Sequence, residues 1–350
     1  MSQSFLPLSV SHRFTKLSMR SYGLIFLTAF LSSGVVYGDQ GIDSFIDKAV
    51  QPITDTLAAV VFYSVNVFGT DIPLVVAWLV AAAVYFTLSL NFLNVRGFFH
   101  AIRLVRGDYS RSDAPGEVTH FQALATAVSG TVGIGNIGGV AIAITAGGPG
   151  ATFWMIMAGL LAMSTKFVEC TLGTLYRREN PDGSVSGGPM YYIEQGFVAR
   201  GWNKVGKVIG SFYALGIVIG CFGIGNMFQS NQAYQQFVNV TGGTESFFAD
   251  KGWLFGLLLG AVVGLVIIGG IKSIARVTSK VVPFMALLYG VGALIMIGMN
   301  YQAIPYAFGA IWAGAFSPEG MSGGVIGVMI IGFQRAVFSN EAGIGSASIA

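Results

Sequence analysis

The sequence predicts an all-α polytopic membrane protein built around interrupted helices, and three observations carry that expectation. Hydrophobic residues fill 53% of the 350 positions and charged residues only 10%, with a mean hydropathy of +0.68, which departs from a soluble domain. Apolar stretches near the roughly 20 residues that a bilayer span requires recur along the chain. Glycine, at 49 residues, is well above its ordinary share and clusters where a helix cannot continue cheaply.

The same composition excludes several function classes. The basic residues behind the net charge of +3 fall in short inter-helix loops, where membrane orientation accounts for them, and no nucleic-acid signal appears. Cys170 and Cys221 lie in separate apolar segments, so they read as small buried packing residues and not as a disulfide framework. His12, His100 and His120 lack ligand spacing, and any bound ion is expected to be held by oxygen. No Ser/His/Asp set or carboxylate dyad lies within the spans, which argues against an enzyme.

Along the chain, basic Arg13, Lys16 and Arg20, the apolar run Tyr22 to Phe30 and the small residues up to Gly38 match a signal peptide or an uncleaved N-terminal helix over 1–38. Residues 39–70, with Asp39, Asp43, Asp47 and Asp55 among apolar neighbours, are expected as an outer-side amphipathic segment. Spans are expected at Asp71–Val95, a leading helix, and then at Thr119–Ala146, Gly150–Tyr176, Val208–Val238, Trp253–Ile271, Val281–Met299 and Ser322–Ala350. Alternate loops are basic: Arg96, Arg103, Arg106 and Arg111 in the loop 96–118, then Arg177, Arg178, Arg200, Lys204 and Lys207, then Lys272, Arg276 and Lys280. These loops are therefore expected on the cytoplasmic side. In the second, Asn180-Pro181-Asp182-Gly183 predicts a turn, and Gly188-Pro189-Met190-Tyr191-Tyr192-Ile193 an interfacial stretch, either anchor or gate.

Gly-Ile-Gly followed by a small polar residue occurs three times, at Gly133-Ile134-Gly135-Asn136, Gly223-Ile224-Gly225-Asn226 and Gly343-Ile344-Gly345-Ser346. By the loop charges the first and third lie in oppositely directed stretches. Two such discontinuous helices point to a secondary transporter's site near the midplane. The middle copy reads as close helix packing, with Asn226 and Gln229 on one face. Breaking a helix frees N–H groups at one half-helix start and C=O groups at the other half-helix end. A carboxylate would sit on N–H groups near Ile134 and Gly135, and carbonyls from Ser129 to Val132 with the Asn136 amide oxygen could surround Na⁺. Asn136 could alternatively make an interhelical hydrogen bond. Arg335 and Glu341 are intramembrane ionisable candidates that could pair. Lys166 and Glu169, one turn apart, read as a pair snorkelling to the cytoplasmic interface.

Ser129 to Ile137, Ala146-Gly147-Gly148-Pro149-Gly150-Ala151, Phe167-Val168-Glu169-Cys170-Thr171-Leu172-Gly173, Gly187 to Ile193 and Phe338-Ser339-Asn340-Glu341-Ala342-Gly343 together resemble the alanine or glycine:cation symporters, that is, the sodium:alanine symporters. The resemblance covers about Val95 to Ala350. It implies a leucine-transporter-type fold with two inverted five-helix repeats, and Na⁺-driven uptake of small neutral amino acids across the bacterial inner membrane. It places core helices one to six in 119–350, with the first repeat complete. Chains of this family continue for several more helices, so most of the second repeat is expected to be missing after Ala350. Carried across, it implies a substrate site of Gly133, Ile134, Gly135, Asn136, Gln229, Phe333 and Gln334. Sodium ligands would come from Ser129, Thr131, Val132 and Asn136. No cofactor is implied beyond Na⁺ as coupling ion; the partners are the small neutral amino acid, sodium and the lipid bilayer. Proton coupling is the near alternative, and an ion channel, with glycine-rich backbone as its filter, the remote one.

Overall fold

The computed structural model describes residues 51–52, 55–67, 70–110, 116–221, 226–317 and 324–349. The expected leader, the first part of the outer-side segment, Arg111 and the glycines at 223 and 225 lie outside the described residues. The chain divides into two compact units, 1–61 and 62–350. In the first, residues 51–52 and 55–61 are helical, and the Thr56 hydroxyl donates to the Pro52 carbonyl at 2.8 Å.

The second unit begins with an antiparallel hairpin, β1 (Ser64–Val67) and β2 (Thr70–Pro73), in register Val65 to Ile72. Asp71 to Pro73, expected to start the leading span, are therefore strand. Helix α1 (Leu74–Ser89) follows directly and ends where Asn91 and Phe92 turn to positive φ. Short α2 (Leu93–Arg96) and amphipathic α3 (Phe98–Arg106) lead to α4 (His120–Thr131). Thr119 starts α4 through a reciprocal cap: its hydroxyl accepts from the Gln122 N–H at 3.2 Å, and the Gln122 amide oxygen accepts from the Thr119 N–H at 3.0 Å. After the break come α5 (Ile134–Gly147) and α6 (Gly150–Leu175), a central helix that packs against α1, α5, α12 and α13.

The remaining elements complete the bundle. The strands β3 (Arg178–Glu179) and β4 (Val185–Ser186) flank the expected turn, with Gly183 at φ +80°. There Asp182 accepts from the Ser184 hydroxyl and N–H, which holds its carboxyl below its ordinary range. The interfacial stretch is helix α7 (Pro189–Val198), packed on α8 (Asn203–Cys221); then come α9 (Met227–Val240) and α10 (Gly252–Ile267). Helix α11 (Gly270–Met299) starts well before the expected Val281, so Lys272, Arg276 and Lys280 lie on a helix and not in a loop. Helix α12 (Ile304–Phe316) occupies a stretch expected to be loop, and α13 (Gly324–Asn340) ends at a second break. Both cysteines are exposed, contrary to the expectation of buried packing residues.

Four stretches among the described residues are long and apolar enough to cross a membrane: His120–Gly147, which contains the α4–α5 break, Gly150–Leu175, Asn203–Cys221 and Gly270–Met299. Leu74–Ser89, Gly252–Ile267 and Gly324–Asn340 are shorter apolar helices. Packing is by small residues, as expected where lipid supplies no hydrophobic drive between helices. Ala143, Ala151 and Val328 are fully buried where α5, α6 and α13 meet. Val76, Ala158, Phe333 and Ala336 form a second cluster joining α1, α6 and α13. The outcome is a mostly helical bundle of membrane-protein character in which one span is interrupted at Val132–Gly133 and α13 gives way after Asn340 to a chain reversal and a 3₁₀ turn.

Candidate functional site

The first break is two residues long. Val132 is extended (φ −105°, ψ 110°), and Gly133 has φ −162° and ψ −148°. The interruption is shorter than the Thr131 to Asn136 run suggested: Thr131 closes α4 with its hydroxyl on the Ala127 carbonyl at 3.0 Å, and Ile134 to Asn136 already belong to the first turn of α5. The two amides that would continue the α4 ladder turn elsewhere. Gly133 N–H donates to Asn136 Oδ1 at 2.9 Å, and Ile134 N–H donates to Gln229 Oε1 at 3.1 Å. Ser129 and Gly130 carbonyls thereby lose their helical donors.

Gln229, in the first turn of α9, thus reaches across to the positive end of α5. A Cβ at Gly133 would lie 2.8 Å from Gln229 Nε2, so glycine there admits the amide. The negative end of α13 meets the same place from the other side: a Cβ at Gly135 would lie 3.5 Å from Ser339 Cα and 3.7 Å from the Phe338 ring. The Phe228 ring meets Phe338 edge-on at 6.0 Å. A half-helix start and a half-helix end, with opposite partial charges, converge beside an amide and two aromatic rings.

The second break follows α13. Glu341, Gly343 and Gly345 all have positive φ, at 52°, 89° and 98°, and a short 3₁₀ turn covers Ser346–Ser348. Its peptide groups are held by neighbours. Lys166 Nζ donates to the Glu341 carbonyl at 3.1 Å, Gly343 N–H donates to Glu169 Oε2 at 3.1 Å, and the Tyr213 hydroxyl donates to the Ile344 carbonyl at 2.9 Å. Glu169 is buried, so Lys166 and Glu169 do not behave as the snorkelling pair expected of them. Glu341 takes the Ser346 hydroxyl at 2.6 Å, and among the described residues no ion pair joins it to Arg335. On α7, burial and then the charge of Glu169 push the Tyr192 phenol up to about 12.

The profile of the sodium:alanine symporter family matches residues 54–350. The chain belongs to the sodium:alanine symporter family. The sodium/alanine symporter AgcS of Methanococcus maripaludis is 39% identical over 279 residues, 79% of this chain and 59% of that protein. The probable sodium/glutamine symporter GlnT of Bacillus subtilis is 36% identical over 276 residues, 78% of this chain and 54% of its own length. The putative sodium/proton-dependent alanine carrier protein YrbD of the same organism is 36% identical over 262 residues, 75% and 50% of the two chains. The chain spans about half to three-fifths of the length of these curated relatives. The family is one of transporters, not enzymes.

For this sodium:alanine symporter family member, the structure brings Gly133, Ile134, Gly135, Asn136 and Gln229 together. Phe333 sits in the α1–α6–α13 cluster with its ring edge-on to Trp154, and Gln334 is half-buried beside it in sequence. Of the sodium candidates, the Ser129 hydroxyl donates to the Thr126 carbonyl at 2.7 Å and Val132 N–H to the Val128 carbonyl at 2.8 Å. Asn136 Oδ1 serves Gly133 and keeps a second lone pair. Phe228, Phe338 and Ser339, which the sequence analysis did not assign to the site, also lie beside this group. The Gly343-Ile344-Gly345 motif was the available signal, because it ends α13 just after Phe338 and Ser339.

Proposed function

We propose that the protein works as a sodium-coupled symporter importing alanine, glycine or a similar small neutral amino acid by alternating access. What carries this reading is the meeting of the α5 start with the α13 end at Gly135 and Ser339, because a zwitterion needs donors for its carboxylate and acceptors for its ammonium in one place. The carboxylate takes the Ile134 and Gly135 N–H groups, and the Gln229 amide oxygen now on Ile134 N–H stands where a carboxylate oxygen would bind. Phe228 and Phe338 bound the space and favour a small side chain. Sodium draws on the Ser129, Thr131 and Val132 carbonyls and Asn136 Oδ1; Ser129 lacks its helical donor. Phe333 and Gln334 line the sixth helix behind this site.

The reading assigns a leucine-transporter-type architecture of inverted repeats in a multi-pass inner-membrane protein. Residues 1–38 are the leader, 39–70 the outer-side segment, 71–95 the leading helix, 96–118 a cytoplasmic connection and 119–350 core helices one to six. Uptake of labelled alanine into vesicles carrying the protein tests it. An imposed sodium gradient is expected to drive accumulation, and accumulation that follows a proton gradient alone sinks sodium coupling in favour of the proton alternative that the name of YrbD suggests.

Gln229→Glu gives a sharper check of the substrate seat. A carboxylate holds the Ile134 N–H more strongly than an amide, by about 1 kcal/mol, and occupies the position of the substrate's own carboxylate. The KM for alanine is expected to rise about tenfold or more with protein abundance unchanged. An unaltered KM removes Gln229 from the site.

A further inference from the structure

The pair Lys166–Glu169 has a use that the substrate site does not require. Both lie on α6, three residues apart, with Lys166 Nζ 3.5 Å from Glu169 Oε1. Their side chains are 24% and 4% exposed, so a carboxylate is held almost out of solvent in a helix long and apolar enough to span a membrane. Burying an ion pair costs desolvation that simple mutual attraction seldom repays. Here each member does something more. The ammonium donates to the Glu341 carbonyl, which also accepts from the Ile344 N–H at 3.3 Å, and the carboxylate accepts from the Gly343 N–H; both are peptide groups of a chain that has left its helix.

The break itself needs holding. Glu341 is a non-glycine residue at φ +52°, a conformation that costs about 1 kcal/mol or more without support. Gly343 is wedged so that a Cβ there would lie 2.7 Å from Leu79 Cδ2 on α1. Ser346 closes the loop from the far side through Glu341 Oε2.

We propose that Lys166 and Glu169 form a polarity-matched clamp on the second break, positioning residues that fix where the negative end of α13 stops relative to the start of α5. The pair is neutral as a whole, so it can reside in a bilayer. It is also directional: an ammonium fits only a carbonyl and a carboxylate only an N–H. The inference goes beyond the transport reading and needs no substrate.

The directionality supplies the test. In the swapped variant Lys166→Glu/Glu169→Lys the ion pair is kept, but a carboxylate faces the Glu341 carbonyl and an ammonium faces the Gly343 N–H. Amide hydrogen exchange is followed by mass spectrometry on the full chain in lipid nanodiscs, in a peptide covering 341–349. A peptide from α11 reports global stability. The swap is expected to speed exchange in 341–349 about tenfold or more while the α11 peptide is unchanged, because the Gly343 N–H loses its carboxylate acceptor and the turn loses the Lys166 contact that holds it. Exchange equal to wild type would make the pair an ordinary ion pair and overturn the clamp. If the swapped chain does not accumulate, Glu169→Gln and Glu169→Leu decide the matter. Glutamine keeps an acceptor for Gly343 N–H and leucine does not, so leucine is expected to give the larger acceleration, and equal effects overturn the proposal. Sodium-independent uptake would sink the transport reading and leave this exchange result standing, so the two failures are distinguishable.

Discussion

Asn136→Ala is expected to reduce sodium-dependent alanine uptake by about tenfold to hundredfold, the equivalent of the roughly 1–3 kcal/mol lost when a buried donor is orphaned. The residue acts twice at one spot. Its side-chain oxygen takes the Gly133 N–H at 2.9 Å, and its own N–H closes on the Gly133 carbonyl at 3.0 Å, so the first turn of α5 is shaped around Gly133 by Asn136. Alanine keeps the second bond and abandons the first. The freed Gly133 N–H then competes for the Ser129 carbonyl, restoring a helical bond where the ion is proposed to find an oxygen. Both effects act in the same direction. Asn136→Asp keeps the acceptor and separates the two, since it retains the shape of the turn while adding charge. Sodium dependence is expected to change in the aspartate variant, whereas overall uptake collapses in the alanine variant. Wild-type uptake with Asn136→Ala removes this residue from the site.

The parts of the fold most legible in the sequence were those written in backbone chemistry. The span placed from Thr119 does begin there, at a reciprocal Thr119–Gln122 cap, and the glycine-rich motif at Gly133 marked the interruption, because capping and helix breaking depend on residues adjacent in the chain. Tertiary overrides were not legible. Lys272, Arg276 and Lys280 looked like a basic loop, yet at four-residue spacing they share one exposed face of α11. The opposite face carries buried Ala275 and Thr278, whose hydroxyl meets that of Thr126 on α4 at 3.2 Å. Lys272 also reaches Glu117 at 3.6 Å. Charge count alone could not separate a solvated helix face from a loop. Helix α12 was missed because its 13 residues fall short of a span, although Pro305 near its start is an ordinary helix-initiation signal. At the candidate site the backbone motif was readable, but the second-break partners were not, since Lys166 and Glu169 lie more than 170 positions from the peptide groups they hold.

Gly150→Ala is expected to be among the most damaging single changes outside the site, destabilising the chain by about 3 kcal/mol or more. At Gly150 an added methyl would overlap the Gly314 carbonyl group and the Ala315 nitrogen, all backbone atoms that no rotamer change can move aside. The reciprocal position is as tight, with a Cβ at Gly314 only 3.0 Å from the Gly150 nitrogen. Separating α6 from α12 there also strains the Trp154 Nε1 bond to the Ala315 carbonyl, 3.1 Å long, and the edge-on contacts of Phe153 with Trp312 and Phe316 at 5.8 and 5.1 Å. Because lipid is as apolar as the helix surfaces, such close contact and its hydrogen bond are most of what joins these helices. Gly159, nine residues further along α6, is the internal control: a Cβ there meets nothing within 4 Å, so Gly159→Ala is expected to be neutral or to stabilise by about 0.5 kcal/mol through helix propensity. Thermal unfolding of the two variants in the same detergent compares them directly. Equal midpoints would mean that the α6–α12 approach is looser than its geometry implies, and with it the small-residue packing that seats the broken helices against one another.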